Sequence, residues 1–412
     1  MIKKIILAGL FFFSLQTIAQ EGTASPYSYY GIGEVKFKGT IENRSMGGLG
    51  VLNDSIHINL QNPAALSSLK LTTFTAAGTF SPTVMQTSTE KQKAQRTSLD
   101  YLAIAFPAGK AVFNVGLMPY TSVGYKIENT NYQTNERTRN TGKGGLNNVF
   151  LGAGYQLTPK LSVGAQFSYN FGEITHTFIY LKGSNQYSTR ELNTTQLNGV
   201  NLTSGLTYST KLTNKLELVS SATFSPEMRL NATNTRNIAR TTFNSQGTEV
   251  AYGSTDVEIP DTKIKAPSKI TFGAGVGESK NWFVGVESTF KSQGNYDIVY
   301  PKASFESASK VSIGGYYIPK YNSFTNYYQK VTYRGGFRHE NTGLIVNSQS
   351  IKDTAFTLGL GLPLSGTFSN INIGFEMGKR GTKNAGLIQE NYTNFSIGLS
   401  FNDRWFQKRK FD

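Results

Sequence analysis

Large apolar residues fall at every second position along residues 393–401, TNFSIGLSF. In an extended chain, this spacing places four of them on one face: Phe395, Ile397, Leu399 and Phe401. The same two-residue period recurs along most of the chain, for example over residues 161–171 and 370–377. The pattern predicts a fold of many strands that each carry one apolar face.

The opposite face of these strands distinguishes a transmembrane barrel from a soluble sandwich. It carries mostly Gly, Ser, Asn and Gln, whereas the outer face of a sandwich usually carries many charged residues. Only 16% of all residues are charged, and 42 of 412 are Gly. With fourteen candidate strands, an even number, over residues 69–401, the sequence predicts an all-β fold, a 14-stranded antiparallel transmembrane β-barrel.

The N-terminus predicts export. Lys3 and Lys4 precede an apolar run over residues 5–15, and small residues end at Ala19. This is the pattern of a cleaved signal peptide over residues 1–19. No later stretch approaches the roughly 18 consecutive apolar residues of a helical span. A membrane crossing must therefore use strands, and we expect the cell outer membrane as the location.

Composition argues against catalysis. The chain has no Cys, which excludes thiolate metal sites, Cys nucleophiles and disulfides. Its three histidines, His57, His176 and His339, are isolated in sequence and form no known catalytic or metal-binding spacing. We therefore expect no enzyme activity, no catalytic residue, no cofactor and no metal.

The chain is basic, with a formal charge of +15. Lys and Arg are scattered over presumptive loops, and the chain is predicted to be exported, so nucleic acid is a poor candidate partner. Anionic outer-membrane lipids are better candidate partners.

Residues 20–68 do not alternate and are rich in Gly and turn signals. Their Tyr, Ile and Leu content is high for a disordered arm. A fourteen-stranded barrel has a lumen too wide for its own side chains to fill, and irregular backbone is tolerated where lipid cannot reach it. We therefore predict an N-terminal hatch inside the lumen. Three polar stretches are predicted as long extracellular loops: 124–144, 233–263 and 293–308.

Motifs in the hatch carry a family resemblance. Ser25-Pro26-Tyr27, the run Asn43 to Gly48 and Asn62-Pro63-Ala64 resemble the hatch of the FadL family of outer-membrane transport proteins. The ending Phe401-Asn402-Asp403 with its basic tail resembles Bacteroidota members. The resemblance implies a plugged fourteen-stranded barrel that takes up hydrophobic small molecules such as long-chain fatty acids.

The resemblance also implies a lateral exit where the third strand kinks inward. Pro119, next to Tyr120, lies in the third candidate strand and removes a ladder donor. One interpretation is a lateral opening at this kink. The other is that Pro119 already lies beyond the strand, in an extracellular turn.

Two lumen-facing carboxylates and the C-terminal tail have two interpretations each. Glu287 and Glu376 fall on lumen-facing positions and either meet a hatch cation such as Arg44 or are ordinary solvated wall charges. The periplasmic tail, residues 402–412, either anchors at the membrane interface or docks to a protein. Its candidate anchoring residues are Trp405, Phe406, Lys408, Arg409 and Lys410.

Two functions remain open at this stage. The first is passive uptake of a hydrophobic or amphipathic small molecule through the hatch or a lateral opening. The alternative is a non-transporting, PorV-like subunit or carrier in an outer-membrane protein secretion or assembly complex. A connected apolar pocket in the lumen favours the transporter, and a completely filled lumen favours the subunit.

Overall fold

A computed structural model describes residues 22–183, 187–244, 249–296, 303–323 and 325–404. The predicted signal peptide, residues 1–19, and the predicted anchoring residues Trp405, Phe406, Lys408, Arg409 and Lys410 lie outside the described residues. Among the described residues, no helix has the length and hydropathy needed to cross a membrane.

The described chain is almost entirely strand. One short helix, α1 (Ile41–Arg44), and four 3-10 turns, Pro26–Tyr29, Pro63–Ser68, Tyr327–Gln329 and Asn384–Gly386, interrupt it. The strands are β1 (Glu34–Val35), β2 (Thr72–Gln86), β3 (Lys91–Ala108), β4 (Ala111–Pro119), β5 (Thr121–Asn131), β6 (Glu136–Gln156), β7 (Leu161–Lys182), β8 (Ser188–Lys211), β9 (Leu216–Ser225), β10 (Met228–Phe243), β11 (Glu249–Val257), β12 (Thr262–Ala266), β13 (Lys269–Glu278), β14 (Trp282–Lys291), β15 (Ser304–Phe305), β16 (Ala308–Tyr317), β17 (Thr332–Val346), β18 (Gln349–Pro363), β19 (Asn370–Arg380) and β20 (Gln389–Asp403).

The sheet closes on itself. β20 pairs antiparallel with β2, from Thr72 opposite Asp403 to Gln86 opposite Gln389. Three wall strands are each built from consecutive elements, namely β4 with β5, β9 with β10, and β11 with β12 and β13. Counted this way, the described residues form fourteen wall strands, which confirms the predicted barrel. The two-residue strands β1 and β15 add to β5 and β17.

Each internal break in a wall strand carries a proline. Pro119 ends β4, Pro226 lies between β9 and β10, Pro260 lies between β11 and β12, and Pro267 lies between β12 and β13. Proline has no backbone N–H to donate to the ladder, so the sheet bends or loses pairing where it occurs.

The two faces of the wall follow the sequence period. Ile397 is 59% exposed, whereas its neighbour Ser396 is 1% exposed. Apolar side chains therefore point outwards, where lipid would cover them, and small polar ones point into the lumen.

Two of the predicted long loops are wrong. Residues 124–144 and 233–263 are mostly strand, because β5 and β6 meet at a turn over 132–135, and β10 pairs with both β11 and β12. Backbone pairing continues beyond the apolar band because ladder hydrogen bonds need no apolar face. These strands project from the barrel as a polar extension.

Residues 22–71, the N-terminal segment, precede β2 and pack against the inner face of the wall. Each of the four buried apolar clusters contains side chains of this segment: Ile32 in one, Ile41 and Leu66 in the second, Tyr27 in the third, and Met46 and Leu49 in the fourth. Burial of these apolar side chains is the main force that holds the segment in place.

Candidate functional site: the lumen and the gap in the wall

A row of glycines receives the Asn62-Pro63-Ala64 motif. Gly154, Gly164 and Gly205 are direct neighbours on β6, β7 and β8. A Cβ atom at Gly164 would collide with the backbone of Pro63. Only glycine leaves room for the backbone to lie directly against the wall here.

Asn62 organises the turn at this contact. Its Oδ1 accepts a hydrogen bond from the Ala64 N–H at 3.0 Å and its Nδ2 donates to Thr207 Oγ1 at 2.9 Å. The side chain thus caps the 3-10 turn and also binds the wall. The sequence analysis identified the motif but not the glycines that receive it. Glycine at lumen-facing positions of neighbouring strands is the sequence feature that could have revealed them.

The three predicted lumen charges line one cavity but do not contact one another. Arg44 Nη1 donates to Thr79 Oγ1 at 2.7 Å and lies 3.4 Å from Asp100 Oδ2. Glu287 Oε2 accepts from the Gly50 N–H at 2.7 Å. Glu376 Oε1 accepts from Arg338 Nη2 at 2.7 Å. Glu287 therefore meets backbone of the N-terminal segment, and Glu376 meets another wall residue.

A second ionic contact ties the N-terminal segment to the wall. Arg380 Nη1 donates to Glu34 Oε1 at 2.6 Å, and Arg380 Nη2 donates to Asp353 Oδ2 at 3.1 Å. Burial opposes ionisation of Glu34, but Lys36 and Arg380 outweigh it and hold the pKa of that carboxyl well below its usual range. Glu34 is therefore a half-buried carboxylate that its cations keep charged.

His57 is isolated in sequence but lies between two carboxylates in the fold. Its Nδ1 is 2.8 Å from Asp54 Oδ2 and its Nε2 is 3.5 Å from Glu42 Oε1. Burial acts to lower the pKa of His57, yet Asp54 and Glu42 raise it above its ordinary value. Within the described residues, no group of three or more His, Cys, Asp or Glu side chains could hold a metal ion.

The lumen contains a cavity of about 400 Å³ between the N-terminal segment and the wall. Its lining is amphipathic. One part is apolar and aromatic, and includes Ile32, Phe37, Tyr120 and Phe305. The rest is polar, with many charged side chains. The described lumen is thus neither an open channel nor completely filled.

Lysines dominate one side of this cavity. Lys38 of the N-terminal segment lies over the Tyr120 ring, 4.1 Å from its centroid. Lys269 and Lys291 stand directly opposite each other on β13 and β14, and Lys310 follows on β16. Lys291 pairs with Glu340 at 2.8 Å. In the described part of the chain, the other three lysines have no carboxylate oxygen within 4 Å.

The electrostatic consequence is a cationic surface. Burial, together with Lys269 and Lys291, lowers the pKa of Lys38 to about 7. Like charges directly opposite each other on neighbouring strands are destabilising. An anionic group bound in the cavity would relieve this repulsion.

The wall has a gap next to Pro119. β3 pairs with β4 from Ala108 only as far as Leu102, opposite Leu117. Beyond this point β5 turns inward and pairs with β1 of the N-terminal segment instead. Among the described residues, positions 91–101 of β3 thus have no strand partner on this side.

Tyr120 makes the inward turn. Its N–H donates to the Leu146 carbonyl at 2.7 Å, and its carbonyl accepts from the Lys36 N–H at 2.9 Å. Pro119 therefore lies within the wall, and the interpretation that places it in an extracellular turn is wrong. Whether molecules pass through this gap is a separate, functional question.

Several solved structures share this fold, and two of them are toluene transporters. The Pseudomonas putida toluene transporter TodX superposes with a TM-score of 0.61 at 16% identity, covering 91% of this chain and 100% of that one. The Ralstonia pickettii toluene transporter TbuX gives 0.60 at 16% identity, covering 89% and 99%. A Pseudomonas aeruginosa FadL homologue gives 0.58 at 10% identity, covering 90% and 99%. At these identities the likeness establishes the fold, which is that of FadL-type barrels.

Comparison of the sequence with protein-family models gives a family whose name differs from those of the structural neighbours. No curated protein matches the chain. The family model for BamG matches residues 1–412, which is the whole sequence given. The chain therefore belongs to the BamG family.

Proposed function

We propose that this chain takes up hydrophobic or amphipathic small molecules passively across the outer membrane. The observation that carries the proposal is the amphipathic cavity between the N-terminal segment and the wall, which lies beside a break in strand pairing. Cargo would be captured on the extracellular side, held in this cavity, and released either by movement of the N-terminal segment or through the gap at Pro119 and Tyr120.

The lining favours a cargo with one apolar and one anionic end. Phe37, Tyr120 and Phe305 offer an apolar surface, and Lys38 brings a cation to its edge. A long-chain fatty acid has this chemistry. The TodX and TbuX structures are of toluene transporters, and a neutral aromatic would leave these lysines without a counter-charge.

Uptake of radiolabelled long-chain fatty acid tests the proposal. Cells that lack the chain should take it up several-fold more slowly than complemented cells. Lys38→Met should slow uptake of the acid but leave uptake of the corresponding neutral alcohol unchanged, since only the acid needs the cation. Lys143→Met, at an exposed lysine on β6, is the matched control. Equal uptake of fatty acid by cells with and without the chain would contradict the proposed transport function.

Two observations favour the second candidate, a non-transporting subunit of an outer-membrane protein secretion or assembly complex. The family model that spans the chain is named BamG and not for a transporter. Furthermore, four apolar clusters and buried ion pairs fill much of the lumen, and many charged side chains line the cavity that remains.

Purification in mild detergent from the native membrane separates the two candidates. Mass spectrometry should find bound lipid or fatty acid without stoichiometric protein if the chain acts alone. Stoichiometric outer-membrane proteins, together with unchanged fatty-acid uptake in cells that lack the chain, would establish the subunit instead.

A further inference from the structure

The barrel wall is short at β14 and β16. Each has 10 residues, whereas β7 has 22 and β8 has 24. A transmembrane β-strand needs about 9–11 residues to cross a bilayer. These two strands are therefore just long enough to span it. Their extracellular ends, at Lys291 and Ala308, lie at the level of the lipid head groups.

A groove of about 560 Å³ lies on the outer face at these ends. Three exposed, lipid-facing side chains form its apolar part: Phe224, Ile270 and Phe290. Ser268, Ser292, Ser307 and Ser309 supply hydroxyls along the same groove. This arrangement suits an acyl chain with a polar head.

The groove and the lumen cavity meet at the rim. Lys269, Lys291 and Ala308 line both of them. Lys269 is the first residue of β13 and Lys291 the last of β14, so both lysines lie at the level of the groove, next to Ser268 and Ser292.

The charges around this rim do not balance. Lys38, Lys269, Lys291 and Lys310 face two carboxylates, Glu287 and Glu340, and a third, Glu306, precedes Ser307 of the groove and is hydrogen-bonded to Asn341. Glu287 is already hydrogen-bonded to the Gly50 N–H, and Glu340 to Lys291. An incoming anion would meet an excess of cations with neutral serines beside it.

We propose that this short rim is a loading site for an outer-leaflet lipid with a phosphorylated head group. Its acyl chain lies against Phe224, Ile270 and Phe290, and its phosphate binds Lys269 and Lys291 over the rim. The site gives the lumen a lipid-side approach distinct from the gap at Pro119. As a route for cargo it rests on the proposed uptake function, but lipid binding can be measured without it.

The experiment uses the full barrel in phosphatidylcholine nanodiscs doped with phosphatidic acid of the same acyl chains. After detergent extraction, native mass spectrometry counts the lipid that stays bound. The wild type should retain phosphatidic acid several-fold above its share in the nanodisc. Lys269→Met should remove this enrichment, whereas Lys143→Met should keep it, because that lysine is exposed on β6, away from the groove.

A photo-cross-linker tests the position. Phe290→p-benzoylphenylalanine should label phosphatidic acid in preference to phosphatidylcholine. The same substitution at Phe356, a lipid-facing residue of β18 that is 66% exposed, should label both in proportion to their amounts. This readout does not depend on the stability of a lysine variant.

The outcomes are distinguishable from those of the uptake assay. No enrichment in the wild type, or equal losses in Lys269→Met and Lys143→Met, overturns the rim site even if fatty acid is taken up. Enrichment that Lys269→Met removes supports the rim site even if the chain transports nothing.

Discussion

At the scale of single residues, His57 shows how the fold gives an isolated side chain a role. The ring joins Asp54 and Glu42, and both are part of the N-terminal segment. Protonated histidine forms charge-assisted hydrogen bonds with carboxylates, whereas neutral histidine loses its ionic attraction to the half-buried Asp54 and the buried Glu42. The protonation of one ring therefore affects how tightly this segment is held.

A pH dependence follows, because the folded pKa of His57 lies above its ordinary value. Its stabilising contribution is fully present below the unfolded pKa of about 6.5 and is lost as pH rises through the higher folded value. Amide hydrogen exchange of residues 50–62, corrected for intrinsic rates, should show protection falling over that window.

His57→Gln should abolish this pH dependence and cost about 2 kcal/mol of protection on the acidic side. His339→Gln is the control, since His339 bonds to the exposed Thr354 hydroxyl at 2.7 Å, far from the segment. A pH profile that is the same in the wild type and in His57→Gln would contradict the role.

At the scale of elements, the glycine row on β6, β7 and β8 determines where the N-terminal segment lies. Gly164→Ala puts a Cβ atom into the backbone of Pro63, which can move only if the turn over Pro63–Ser68 moves with it. We expect a loss of roughly 1–3 kcal/mol in the docking of the segment. Limited proteolysis of the segment and thermal unfolding in detergent measure this loss.

Gly335→Ala is the matched control. It places the same methyl group on β17, where the nearest atom, Leu358 Cδ2, is at an ordinary 3.8 Å. If both variants are equally resistant to protease, the glycine row does not position the segment.

The elements also show what could be predicted from sequence. The two-residue period over residues 393–401 gave the correct faces because lipid contact imposes large apolar side chains on one of them. Residues 124–144 carry no such signal, so strands there looked like a loop. Pro119 was recognisable as a break, but the hydrogen bond from Lys36 to Tyr120, 84 positions later, was not, since pairing at that distance depends on the whole fold.

The site was less predictable than the fold for the same reason. The lumen-facing positions of Glu287 and Glu376 followed from strand phase. Their partners did not, because the N-terminal segment has no period from which a register can be read. The lysines around the cavity come from β13, β14, β16 and the N-terminal segment, and only closure of the barrel brings them together.

At the scale of the whole molecule, the open issue is whether the N-terminal segment must move for cargo to leave. Because the chain has no native Cys, engineered cysteines can be cross-linked without background. Asn53 Nδ2 donates to Ser209 Oγ at 2.8 Å, which joins the segment to β8. Asn53→Cys with Ser209→Cys, joined by a short, cleavable bis-thiol reagent, would fix the segment to the wall.

If release requires movement of the segment, cross-linked cells should take up labelled fatty acid several-fold more slowly, and cleavage of the reagent should restore the rate. The single variants treated with the same reagent control for thiol modification alone. Unchanged uptake in fully cross-linked protein would exclude release by movement of this part of the segment. The gap beside Pro119 and Tyr120, where β5 leaves β3 and pairs with β1, would then be the remaining exit.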